Sequence, residues 1–291
     1  MRRYCLAGQE IYFSHVVPEL ASFEINNTYQ GTAVETAPFI PPAFLQIDLI
    51  SHAGGWVAGA QRELETWSAP PGFLMRVAGG SDFYISPDGQ EILCTDQGQD
   101  GEGLNETDRQ ILLGPVLVLA LALRGTWSLH ASAVIFKDNL VLFLGESGQG
   151  KSTLAAYLAN EAGWRLAADD ILPVTSGADG VVAWPRFPQL KLPMQAQPGP
   201  GLPEQLSISK VFVLKDARLY DMPALQRIPS TQAIQMYLGH TAGTRLFDPN
   251  TLAKHLAFCS LAAENVPLYR LTYPHRWEGL RIIKELLEGL C

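Results

Sequence analysis

Residues Gly145, Glu146, Ser147, Gly148, Gln149, Gly150, Lys151 and Ser152 form a glycine-spaced run closed by a lysine and a hydroxyl, with Thr153 next. An apolar stretch over 141–144 leads into it. These types in this order suit the binding of a nucleoside triphosphate through a phosphate-binding loop (P-loop). The three glycines let backbone N–H groups approach phosphate oxygens without interference from a Cβ. Lys151 supplies a mobile positive charge for the outer phosphates, and the Ser152 hydroxyl can ligate Mg²⁺. The helix expected over 151–162 aims its positive end at the same anion.

Asp169 and Asp170 follow, with Asp169 17 residues beyond Ser152, at the expected end of a short strand over 164–168. Phosphoryl transfer needs a carboxylate to hold Mg²⁺ and often a second to take the acceptor's proton. Adjacent strand residues point to opposite faces, so a pair can divide those tasks. An isolated acid pair is otherwise a helix cap or a solvated turn; the preceding glycine run and apolar strand favour the chemical reading here. His130 lies 15 residues before Gly145, at the start of another strand. Taken alone, a histidine there is more often a hydrogen-bonded structural residue than a functional one.

The elements that must carry these residues differ between the two parts of the chain. Residues 1–105 read as a β-rich domain, suited to substrate or peptide recognition, with strands expected at 10–13, 44–50, 73–77 and 83–85. Asp88-Gly89 signals a hairpin, and proline and glycine mark loops at 38–42 and 98–103. Residues 106–291 read as a catalytic domain. It opens with a helix over 107–123 interrupted at Gly114-Pro115, followed by strands at 131–136 and 140–144 with a turn at Lys137-Asp138-Asn139 between them. Gly163 stops the helix after the glycine run. A strand at 210–215, helices at 231–238 and 249–261, a strand at 267–272 and a closing helix at 277–290 complete it. Strands alternating with helices predict an α/β catalytic domain, so the fold class expected for the whole chain is α/β within an α+β chain.

Composition bounds the partners. The chain has 291 residues, 47% of them hydrophobic, and a net charge of −8. With no basic run, that charge speaks against nucleic-acid binding, whose affinity comes largely from neutralising phosphates. Cys5, Cys94, Cys259 and Cys291 are scattered, with neither metal-ligand spacing nor a disulfide pattern, which suits free thiols in a reducing compartment. The first 13 residues lack the long apolar core of a signal peptide. The most apolar segment, 111–123, is too short to span a bilayer. A cytoplasmic protein with no membrane partner is the expectation.

The strings LHASAVIF, GESGQGKST and RLAADD, in this order and at this spacing, resemble the catalytic domain of HPr kinase/phosphorylase, a bacterial protein-serine kinase built on a P-loop. The match is close over 125–175 and follows element order beyond. The string GxSGxGKSTLAAxL with LHAS is also similar to shorter relatives beside peptide-modification genes, including kinases that phosphorylate a serine of lasso-peptide precursors. The resemblance implies ATP and Mg²⁺ as cofactors and a serine-bearing peptide or small protein as partner. It assigns the phosphates to Lys151, Mg²⁺ to Ser152 with Asp169, proton abstraction to Asp170, and orientation of that carboxylate to His130. It also implies a homo-oligomer. Full members carry a metal-ligating Glu about 25 residues past the acid pair, where this chain reads AWPRFPQLKLP and has no acid. Reverse phosphorylase chemistry is therefore not implied. Arg186 and Lys191 in that stretch are candidates for phosphate or acidic substrate, and Arg227 and Arg245 for a distal catalytic arginine. The loop over 194–205 reads as a substrate flap or a plain connector. A small-molecule kinase and an ATPase or nucleotide switch remain the alternatives; the signature of ABC-type ATPases is missing.

Overall fold

A computed structural model describes residues 2–14, 16–25, 32–37, 48–95, 104–178, 180–190, 192, 201–216, 222–274 and 276–290. The chain divides into two compact units, Met1–Thr126 with Gly243–Ala253 and Trp127–Ala242 with Lys254–Cys291. The first unit thus also takes in the helical segment after residue 105. The loops expected at 38–42 and 98–103 lie outside the described residues.

The first unit is built on strands β1 (Arg2–Leu6), β2 (Gln9–Phe13), β3 (Thr32–Ala37), β4 (Asp48–Val57), β5 (Ala60–Ala69), β6 (Gly72–Val77), β7 (Asp82–Ile85) and β8 (Glu91–Thr95). They form one sheet in the order β1-β2-β3-β8-β7-β6-β5-β4. The pairs β2–β3 and β3–β8 are parallel and the rest antiparallel. The Asp88-Gly89 turn joins β7 to β8 as expected, with Gly89 at φ 67°. A Cβ there would collide with the Ala120 carbonyl, so the position demands glycine. Residues 44–47 of the strand expected at 44–50 fall outside the described residues, and β4 instead runs on through Gly54-Gly55. The polar β5 was not expected at all. Helices α1 (Glu106–Ile111) and α2 (Leu117–Leu123) flank a π-type turn at Leu112–Val116. Gly114 there adopts φ −94°, ψ −110°, the kink that Gly114-Pro115 predicts. Asn105, two residues before the expected start, caps α1 by accepting from the Asp108 N–H.

The second unit holds β9 (Trp127–Phe136), β10 (Asn139–Leu144), β11 (Trp164–Gly177), β12 (Gly180–Ala183), β13 (Leu206–Asp216), β14 (Ala224–Arg227) and β15 (Leu268–Tyr273). The sheet order is β10-β9-β11-β12-β13-β15-β14, with β10 also paired to β13. Only β10–β13 and β13–β15 are parallel. The sheet is therefore mixed: the α+β class expected for the whole chain holds, whereas the α/β arrangement expected of the catalytic domain from element alternation does not. For one pair the cause is local: at the turn expected over 137–139, Lys137 and Asp138, at φ 46° and 68°, make a two-residue hairpin that sets β9 and β10 antiparallel. Helices α3 (Lys151–Ala159), α4 (Ser230–His240), the part of α5 (Pro249–Asn265) from Lys254 onward, and α6 (Trp277–Glu288) belong to this unit. Leu154 and Leu158 of α3 and Leu280, Ile283 and Leu287 of α6 are buried in one core with Val134, Phe143, Phe212 and Leu271 of the sheet. That core fixes α3, and with it the glycine run, against β10. No described helix is long and apolar enough to cross a membrane.

A polar knot lies in the interior of the second unit. The Thr241 hydroxyl donates to the Tyr237 carbonyl at 2.8 Å and lies 2.9 Å from His255 Nε2. Because the hydroxyl proton is committed, Nε2 is the donor in the second bond. The His255 ring packs on Trp127 at 4.8 Å, and Cys259 Sγ is 3.3 Å from Nε2. Cys259, like Cys5 and Cys94, is a free thiol. Burial pushes His255 down to about 4. Below an ordinary histidine value near 6.5 the unfolded chain takes up a proton that the folded chain refuses. Stability should therefore fall as pH drops from about 6.5 towards 4, with a slope approaching about 1.4 kcal/mol per pH unit. Urea unfolding of the wild type and of His255→Gln across that range checks it; the variant should lose this part of the slope.

Candidate active site

The glycine run forms the turn from β10 into α3. Gly145, Gly148 and Gly150 have φ of 150°, 83° and 82°, so all three use backbone space that side chains disfavour. Gly150 caps α3 in the left-handed conformation, and the helix begins at Lys151. The Lys151 ammonium donates to the Gly145 carbonyl at 2.7 Å and the Glu146 carbonyl at 3.1 Å, folded back over the loop. It is 7% exposed.

The acids do not stand at a strand end. Strand β11 continues through them to Gly177, paired with β9 from Trp164 to Val174. A register shift between Leu166 and Ala168 makes a bulge just before the pair, a device that re-aims side chains. Asp170 has φ 141°, a strained value for a non-glycine residue. Polar residues in mid-strand look like a terminus in sequence, which is why the expected strand stopped short. The β9–β11 register sets Asp169 opposite Ser132 and Asp170 opposite Ala131. Ser132 donates to Asp169 Oδ1 at 2.6 Å. His130 Nε2 lies 3.5 Å from Asp170 Oδ1, with the carboxylate largely buried and the imidazole 39% exposed.

His130, Ser132, Ser147, Gly148, Gly150, Lys151, Ser152, Thr153, Asp169 and Asp170 line one cavity of roughly 220 Å³. The glycine run, the acid pair and His130 thus share one site. Among the described residues no cluster of three or more His, Cys, Asp or Glu could hold a metal on its own. Mg²⁺ commonly takes one or two carboxylates and completes its shell with phosphate oxygens and water. A Ser152 hydroxyl and an Asp169 carboxylate in one cavity fit that donor set.

Three residues of the site region escaped sequence reasoning. Ser132 holds Asp169, as above. Gln189, fully buried, accepts from the Asp169 N–H at 2.8 Å and donates to the Ile171 and Phe187 carbonyls at 2.8 and 3.0 Å. It stitches the segment after β12 to the strained stretch of β11. His240 ends α4, whose exit is tied to β9 by the Ala242 N–H donating to the Ser128 carbonyl at 2.7 Å. Burial holds the His240 imidazole below its ordinary value, opposed by the Glu146 carboxylate and helped by Lys151 and His130. A search for partners by chemistry could have flagged Gln189, as an amide inside an apolar stretch; Ser132 and His240 carry no such signal. Arg186 is half-buried and does not line the cavity, and neither does Arg227, exposed on β14, nor Arg245, which belongs to the first unit. Lys191 and residues 194–200 lie outside the described residues.

Comparison with known proteins adds little. No protein-family model matches the chain, and no curated protein does. Among solved structures, the Hpr(Ser) kinase/phosphatase from Coxiella burnetii is similar over 56% of this chain and 94% of its own, at 15% sequence identity and a TM-score of 0.34.

Gln189→Leu removes all three amide bonds and strands two carbonyls and one N–H in the interior. It should cost about 2–4 kcal/mol of stability, measured by urea unfolding.

Proposed function

We propose that this chain is an ATP- and Mg²⁺-dependent kinase that transfers the γ-phosphoryl group to a hydroxyl, taken to be a serine of a peptide or small protein. One observation carries the reading: a glycine run with its lysine and an acid pair with its histidine line a single cavity. Mg²⁺ binding with ATP needs the first set and one acid; the second acid, paired with a histidine, is what a proton-accepting role adds. The serine acceptor rests on the sequence resemblance, which reaches as far as ribosomal-peptide precursors.

Each residue has a task its position supports. Backbone N–H groups of the glycine loop and the start of α3 face the phosphates. Lys151, now held by loop carbonyls, exchanges those bonds for charge-assisted ones to phosphate oxygens. Ser152 and Asp169 would hold Mg²⁺, which when bound neutralises charge on the phosphates. Ser132 occupies one lone pair of Asp169 and fixes the carboxylate's orientation. Asp170 accepts the proton of the acceptor hydroxyl, and His130 beside it orients the carboxylate.

Lys151→Ala should abolish both tight nucleotide binding and transfer. Asp170→Asn should lower transfer by about 10²–10⁴-fold while leaving nucleotide affinity nearly unchanged. Calorimetry of nucleotide binding paired with single-turnover transfer of labelled phosphate distinguishes the two. An Asp170→Asn variant at full rate would remove Asp170 as the base and undermine the kinase reading.

A further inference from the structure

A second cavity of roughly 220 Å³ abuts the first within the same unit. Gly148, Gly150, Thr153, Tyr273, Arg276, Trp277 and Leu280 line it. Gly148, Gly150 and Thr153 line both cavities, so the two spaces meet on the glycine loop. A Cβ at Gly148 would meet nothing within 4 Å, which shows the room above the loop.

The walls of this second cavity are built for a flat, partly apolar group. Trp277 opens α6, three residues ahead of Leu280 and on the stripe that continues through Ile283 and Leu287. Those three are buried in the core, whereas Trp277 is 72% exposed. The stripe thus runs off the sheet and ends with an indole beside the cavity. A large aromatic on a core-facing stripe with no core beneath it is a surface waiting for a cover. Tyr273 forms another wall, its hydroxyl donating to the Gln149 carbonyl at 3.3 Å, which ties β15 to the loop. The Arg276 Nε is buried with no hydrogen-bond partner, a polar atom that a bound group could satisfy.

We propose that this cavity binds the base and ribose of the nucleotide, with Trp277 stacking on the base and Arg276 donating to the polar edge of the ligand. The proposal rests on the nucleotide reading above and adds to it where the non-phosphate half of the ligand lies. A base stacked on an aromatic ring is recognised by its π face, so the contact gives affinity without itself choosing among bases. Selection between bases would fall to Arg276 and the backbone edges of the loop.

The test compares MgADP with Mg-pyrophosphate, which carries the phosphates and lacks the base, by calorimetry on the full chain. Trp277→Ala should weaken MgADP by about tenfold or more and leave Mg-pyrophosphate within about twofold of wild type. Trp277→Phe should recover most of the ADP affinity, because a ring is restored. ADP affinity unchanged in Trp277→Ala, with Lys151→Ala still impaired, would overturn the base site and leave the nucleotide reading standing. Equal weakening of both ligands in Trp277→Ala would also overturn it, showing that Trp277 supports the loop and not a base. Failure of the wild type to bind either ligand would remove the nucleotide reading itself, and the base site with it.

Discussion

Everything at the site depends on the register of β9 between its two neighbours. On one side Ser132 pairs with Phe143 of β10, two residues before Gly145 opens the glycine loop. On the other side Ser132 pairs with Asp169 of β11. One strand therefore sets the distance between the glycine loop and the acids. A one-residue slip would turn every β9 side chain to the other face, sending His130 and Ser132 away from the acids. Both faces of β9 are buried, Leu129, Ala131, Ala133 and Ile135 on one and Ser132, Val134 and Phe136 on the other, so a slip would exchange side chains of different size between two packed layers.

The site is held at a local cost that the surroundings offset. Asp170 sits at φ 141°, a conformation of order 1–3 kcal/mol unfavourable for a side-chain-bearing residue. It persists because β11 is paired with β9 on both sides of it and because Gln189 ties the Asp169 N–H and the Ile171 carbonyl to the segment after β12. The bulge before Asp169 has a similar role, using two small buried residues, Ala167 and Ala168, where the strand bends. Strain of this kind concentrates where a side chain must be aimed and not merely packed.

What sequence revealed and what it concealed divide by range. The glycine loop, the Asp88-Gly89 hairpin and the Gly114-Pro115 kink are encoded in a few adjacent residues, and each formed where expected. The strand identities of β6, β7, β13 and β15 followed from apolar runs. The turn at 137–139 was legible too and folds β9 back on β10, but the mixed direction of the rest of the sheet was not, because alternating strands and helices suggest parallel pairing. β5 escaped because AQRELETWSA is rich in polar and helix-favouring residues, and only its pairing with β4 and β6 makes it a strand. The acid pair was legible as chemistry but not as geometry. Ser132 was illegible because its role arises from a neighbour 37 residues away, and Gln189, an amide conspicuous in an apolar stretch, gave no sign of its partner 20 residues away.

The loop and the acid pair, as proposed, act as one phosphoryl-transfer site. The fate of the γ-phosphoryl group decides it most directly. ³¹P NMR of the full chain with ATP, Mg²⁺ and a panel of serine-bearing peptides should show ADP appearing together with a phosphoserine resonance. Release of inorganic phosphate at one rate, with or without any acceptor, would contradict it.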